Sequence, residues 1–160
     1  MAYAIVTREA MQSESVANLR KSFKYQPSGV DTAVENGNVV VKGNLIDGQR
    51  EIYTATTPTA TTKLEDILLV TTPEVLADER KKNLSDFRNE AGEIATGDVL
   101  KTGDIFSVTA EAFTGTPAKG KIVELQAGTK LKVVDSLTDG STQVGTIIDL
   151  ANGKYAVQVI

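Results

Sequence analysis

Through the second half of this chain glycine recurs at short intervals, at Gly97, Gly103, Gly115, Gly120, Gly128, Gly140, Gly145 and Gly153. The runs that it separates or punctuates, 99–100, 104–109, 121–125, 130–134, 144–150 and 155–160, are short and rich in β-branched residues. Strand-like runs at a spacing of about 8–12 residues, with turn residues between them, predict an antiparallel sandwich or small barrel. Composition agrees: Val, Ile and Thr make up 46 of the 160 residues. These side chains are stiff at χ1 and suit a pleated, half-buried surface. The expected fold is mainly β, an antiparallel β-barrel or sandwich with a short N-terminal arm and at most one or two short helices.

The first half adds hairpin chemistry. Asn36-Gly37 and Asp47-Gly48 suit the positive φ of type I′ turns, and each stands beside an apolar run. Gln126-Ala127-Gly128 and Ala151-Asn152-Gly153 read as three-residue hairpin loops with glycine in the left-handed position. The Thr-rich stretch 54–62 carries a proline and reads as a loop or edge segment. Residues 66–70 form a short apolar run of the buried-strand type.

Two helices are conceivable. Thr71 and Glu74 have the spacing of a capping box, and Leu76, Leu84, Phe87 and Ala91 could share a helical face out to Gly92. Residues 78–83 are polar and charged all round, so a single helical turn followed by loop fits as well as a longer helix. Nearer the N-terminus, Val16, Leu19 and Phe23 fall at i, i+3 and i+7, with Ser13 or Ser15 as N-cap. Residues 1–30 carry a net charge of +2 against −6 for residues 31–160. With Pro27-Ser28-Gly29 closing the segment, the division expected is an arm, 1–30, and a β-rich body, 31–160. Val16, Leu19 and Phe23 would be the apolar stripe of an assembly arm, since so short a helix gains stability only by burying it.

Histidine and cysteine are both absent. Imidazole bases, Ser-His and Cys-His nucleophile pairs, imidazole or thiolate metal sites and disulfides are thereby excluded. Carboxylate pairs such as Glu90 with Glu93, Asp98 with Asp104, and Asp135 with Asp139 are of a kind that any acidic β-protein offers, and solvated turn acids are the expectation. Asp135 to Gly140 lacks the acid spacing of a calcium loop. Gly115 to Gly120 lacks both the spacing and the helix of a phosphate loop. No catalytic residue, metal ligand or cofactor is expected, and the chain reads as a non-enzyme. Eight aromatics, no Trp and an acidic body give no nucleic-acid footprint. No run approaches the length of a membrane span, and the first apolar run is too short for a secretory signal.

Two resemblances are carried by particular residues. The run from Gly97 to Phe113 is similar to the strand-turn-strand of biotinyl and lipoyl carrier domains. Thr114 follows Glu111-Ala112-Phe113 where that family has its acceptor lysine, and the nearest downstream lysine is Lys119. The likeness therefore extends to architecture only. More broadly, from about Tyr25 to Ile160, the chain resembles small structural proteins of tailed bacteriophages, of the head decoration or auxiliary capsid type. Residues 84–95 and 102–109 carry that likeness. It implies a β-rich virion component on the capsid surface, made in the host cytoplasm. Its implied partner is the major capsid protein or another virion protein, and it would act as a homo-oligomer, a trimer foremost. The competing readings are a carbohydrate- or host-surface-binding β-module and a tail component of the virion.

Overall fold

A computed structural model describes residues 1–78, 80 and 83–160. Its regular structure is strand with short 3-10 turns, built into a closed five-stranded barrel and a curled seven-stranded sheet. The expectation of a mainly β fold is met. The strands are β1 (Val6–Ala10), β2 (Arg20–Tyr25), β3 (Val39–Leu45), β4 (Ile52–Thr56), β5 (Ile67–Val70) and β6 (Ala95–Val99), then β7 (Ile105–Val108), β8 (Phe113–Thr114), β9 (Ile122–Glu124), β10 (Leu131–Val134), β11 (Gln143–Ala151) and β12 (Lys154–Val159). The barrel closes in the order β2-β4-β3-β5-β6, and the sheet runs β1-β7-β12-β11-β9-β10-β8. Pairing is antiparallel except between β2 and β4 and between β8 and β10, which are parallel.

The fully buried run Ile67-Leu68-Leu69-Val70 explains how barrel and sheet join. Alternation sends successive side chains to opposite faces of a strand. Leu68 and Val70 fill the barrel with Phe23, Tyr25, Val40, Ala55 and Ala95. Ile67 and Leu69 face the other way, with Val39 of β3, into the larger core under Phe106, Val108, Ile147 and Val157 of the sheet. A strand buried on both faces reads as an unbroken apolar run, whereas a half-exposed one alternates. Gly97 makes the barrel's interior possible: a Cβ there would lie 2.9 Å from Leu68 Cβ and 3.0 Å from the Phe23 ring.

Residues 1–30 are not a separate arm. They supply β1 to the edge of the sheet and β2 to the barrel. The helix expected over 16–23 is a 3-10 turn at Ala17–Leu19 running straight into β2. Phe23 and Tyr25, two apart and both buried, impose the strand period over the looser i, i+3, i+7 stripe. Thr71 to Glu74 does not begin a helix either, because its polar groups are bound sideways. Thr71 N donates to Thr96 O, Thr72 N to Asn36 Oδ1, and Thr96 N to Thr72 Oγ1. Of the charged stretch once open to a helix, Glu79, Lys81 and Lys82 lie outside the described residues.

The turns divide similarly. Asp47-Gly48 joins β3 to β4 as expected, but only Gly48 (φ 77°) has a positive φ, so the turn is not of type I′. Asn152 (φ 51°) and Gly153 (φ 73°) form a two-residue loop, not three, because Ala151 pairs with Lys154. Gln126 to Gly128 sits in a longer loop, since the β9–β10 ladder ends at Glu124 and Lys132. Asn36-Gly37 is a buried turn outside any hairpin. The carrier-like run 97–113 splits between the sheets, with β6 in the barrel and β7 in the seven-stranded sheet.

Two stability tests follow from this arrangement. Removing residues 1–26 takes β2 out of the closed barrel, so the truncated chain is expected to lose cooperative thermal unfolding. Ile67→Ala, at the junction of the two cores, is expected to cost about 2–5 kcal/mol, read as a lower urea midpoint at unchanged slope.

Candidate functional site

Asp98 on β6 has no exposed surface. Arg20 of β2 donates from Nε to its Oδ1 at 2.9 Å, and Thr71 donates from Oγ1 to Oδ2 at 2.6 Å. Arg8 of β1 brings its Nε within 3.8 Å and donates from Nη1 to Thr71 O at 3.3 Å. The Glu14 carboxylate then bridges both guanidiniums, 2.7 Å from Arg8 and 3.1 Å from Arg20. The hydrogen bond to Asp98 above all, with the two nearby carboxylate charges, holds the Arg20 guanidinium above its ordinary pKa against the effect of burial. The group lies between a barrel strand pair and the edge strand of the sheet.

Glu124 on β9 is likewise a fully buried carboxylate. Lys132 donates to it at 2.8 Å, and Thr138 donates through both its backbone N (2.9 Å) and its Oγ1 (2.7 Å). Burial pushes this carboxyl up, but the Lys132 ammonium and the two Thr138 donors outweigh it and hold the pKa below the usual range. One carboxylate thus pins an exposed loop, 135–140, to the sheet. Asp104 is buried too, accepting from Gln12 N at 2.8 Å and Lys101 N at 2.9 Å. Asp98 and Asp104 were expected to be solvated; instead each is a buried structural acceptor. Glu93 accepts from the Glu90 amide, and Asp135 lies 3.3 Å from Lys121. Of the expected pairs, Glu90 and Glu93 line one small groove together with Asp78 and Asp86, whereas Asp98 and Asp104 are buried.

The aromatic rings are committed as well. Phe23, Tyr25, Phe87, Phe106 and Phe113 are buried. Tyr155 packs edge-on against Phe113, Tyr53 lies under Lys42, and Tyr3 lies under Arg88. The large apolar residues that are exposed are aliphatic apart from Met1. Val75 is 79% exposed and Ile94 52%, and both line one shallow groove of about 500 Å³ with Pro73, Phe87, Lys24 and Glu93. Leu84, also exposed, lines a separate groove along β1.

The three residues of the expected assembly stripe are not brought together. Val16 is exposed, Leu19 is half-buried and Phe23 is sealed in the barrel. Sequence reasoning passed over Val75 and Ile94, which stand among charged and turn residues with no periodicity to single them out. Among the described residues no group of three or more acidic side chains is placed to hold a metal ion, and no helix is long and apolar enough to cross a membrane. Comparison with family models, with curated proteins and with solved structures finds no match for this chain.

Asp98→Ala would leave Arg20 and Thr71 facing a buried void. A loss of about 1–3 kcal/mol is expected, the usual cost of leaving buried hydrogen-bonding groups unpaired, measured by urea denaturation, since Arg8 and Arg20 keep Glu14 as a partner. For Glu124 the folded pKa lies below the unfolded value of about 4.3. Its stabilisation is therefore complete above that value and is lost as pH falls through the folded pKa. Melting temperature followed from neutral pH downward is expected to fall less steeply in Glu124→Gln than in the parent.

Proposed function

We propose that this protein is a non-enzymatic structural component of a phage virion, docking as a homo-oligomer on the capsid with the major capsid protein as its partner. The observation that carries the reading is the aliphatic groove under Val75 and Ile94. Large exposed aliphatic side chains gathered at one place mark contact surfaces more often than solvent faces. Residues 84–95, one of the two segments that carry the phage likeness, supply Phe87 and Ile94 to the lining of that groove. The body behind the groove is held by buried ion pairs and a core shared between barrel and sheet. Such a support presents the groove with little loss of conformational freedom on binding.

Modest affinity per copy suffices on a shell. An oligomer engages several identical sites at once, and the later contacts form at high effective concentration. A carbohydrate-binding module would draw on exposed aromatic rings, and each of the eight here is buried or half-buried. The expected assembly role of the N-terminal segment reduces to Val16, the one exposed residue of its stripe.

The test is co-sedimentation with capsids lacking the protein, together with its mass in solution by light scattering. Val75→Asp with Ile94→Asp is expected to weaken capsid binding by at least about tenfold, since burying one aliphatic side chain is worth about 1.5–3 kcal/mol, while the melting temperature stays near the parent's. Unchanged decoration by a folded double variant would remove this groove from the interface. Failure of the parent itself to bind any capsid would overturn the reading.

A further inference from the structure

Asparagine followed by glycine occurs twice in the sequence, at Asn36-Gly37 and Asn152-Gly153, and the fold puts the two in opposite circumstances. The dipeptide is chemically special because glycine leaves its backbone nitrogen unhindered beside the asparagine side-chain carbonyl. Attack of that nitrogen on Cγ closes a five-membered ring.

At Asn36 every participant is held. The residue is 1% exposed, and its Nδ2 donates to Thr72 O at 2.7 Å and Glu74 Oε1 at 3.2 Å. Its Oδ1 accepts from Thr72 N at 3.1 Å and from Asn89 Nδ2 at 3.3 Å. The attacking atom, Gly37 N, donates to Val70 O at 2.8 Å. The space around Gly37 is filled, with Val108 Cγ1 only 3.1 Å from where a Cβ would stand. Ring closure there would break five hydrogen bonds inside the protein.

At Asn152 nothing comparable holds. Asn152 and Gly153 are exposed, and no heavy atom lies within 4 Å of a Cβ built on Gly153. Among the described residues the Asn152 side chain has no hydrogen-bond partner. The β11–β12 ladder closes at Ala151 and Lys154, so the two tip residues stand outside it. The left-handed turn must open for attack, but opening a hairpin tip breaks few bonds and lies at the low end of local unfolding energies.

We propose that Asn152 is a site of spontaneous deamidation and isomerisation through a succinimide, and that burial protects Asn36 from the same reaction. The Gly153 nitrogen loses its proton to solvent base and forms a bond to Asn152 Cγ. The Cγ–Nδ2 bond breaks, and the departing nitrogen takes a proton from water to leave as ammonia. Water then adds to one of the two ring carbonyls. Cleavage of the new N–Cγ bond gives aspartate, and cleavage of the original peptide C–N bond gives isoaspartate. Either product adds a negative charge at a tip that already carries Asp149 nearby on β11. Isoaspartate also threads an extra methylene into the main chain of a two-residue turn, which disturbs the register set at Ala151 and Lys154.

The full-length protein is incubated at mildly alkaline pH, and conversion is followed at both sites by peptide mapping with isoaspartate-resolving chromatography. A free peptide covering residues 149–156 runs in parallel. Conversion at Asn152 is expected to be slower than in the peptide and at least about tenfold faster than at Asn36, the ratio produced if opening the buried turn costs only about 1.4 kcal/mol more than opening the tip. Isoelectric focusing should show acidic species accumulating in the parent but not in Asn152→Gln. Equal or faster conversion at Asn36 would overturn the proposal. So would an unconverted Asn152 after the peptide has reacted to completion, or the same acidic species in Asn152→Gln.

Discussion

A carboxylate shut away from water must be neutralised by groups brought to it, because an unpaired buried charge costs several kcal/mol. Asp98 is such a group, and its partners come from far along the chain. Arg20 arrives on β2, Arg8 on β1 and Thr71 from the segment after β5, while Glu14, from the turn between β1 and β2, braces the two arginines. Because β2 and β6 belong to the barrel while β1 belongs to the sheet, satisfying one carboxylate fixes how the two halves meet. A hydrophobic residue of similar volume could fill the site with equal or better stability. What it could not do is demand these particular donors. Such a group is a weak source of net stability, and the apolar strands beside it supply the core of the junction.

Those strands explain why barrel and sheet read as one body. β3 and β5 each face the barrel with one set of side chains and the larger core with the other, so each strand belongs to both cores at once. The same logic disposes of residues 1–30 as a detachable arm. Phe23 is sealed inside the barrel, and β2 carries Arg20 to Asp98. The opposite charge sign of that segment belongs to the network: two of its four basic residues are the guanidiniums that neutralise Asp98.

Much of the β-architecture was legible because its causes are local. Short β-branched runs punctuated by glycine placed β7 and β9 to β12 within a few residues, and Asp47-Gly48 marked a true hairpin. The errors arose where distant contacts decide. Thr71 has the spacing of a helix cap, but its hydroxyl is taken by Asp98 and its amide by Thr96. Asn36-Gly37 has hairpin chemistry, yet the turn is buried against Val70 and Thr72. No window of sequence contains those partners. The buried acids were misjudged for the same reason, since Asp98 and Arg20 are 78 residues apart. The candidate site was scarcely legible at all: Val75 and Ile94 follow no period, and Val75 stands on an irregular segment bound sideways to β6.

That irregular segment links the structural network to the exposed groove. Thr71 and Thr72 are held by Asp98, Asn36 and Thr96, so the chain leaves β5 without winding into a helix and carries Pro73 and Val75 outward over Phe87. Had Thr71 capped a helix, its apolar side chains would have gathered on one face and turned inward. Instead the polar bonds absorb the backbone's donors and acceptors and leave the aliphatic groups without an internal partner. The exposure of Val75 is therefore tied to the burial of Asp98. A change that frees Thr71 would be felt at the groove even though the two lie on different sides of the same short segment.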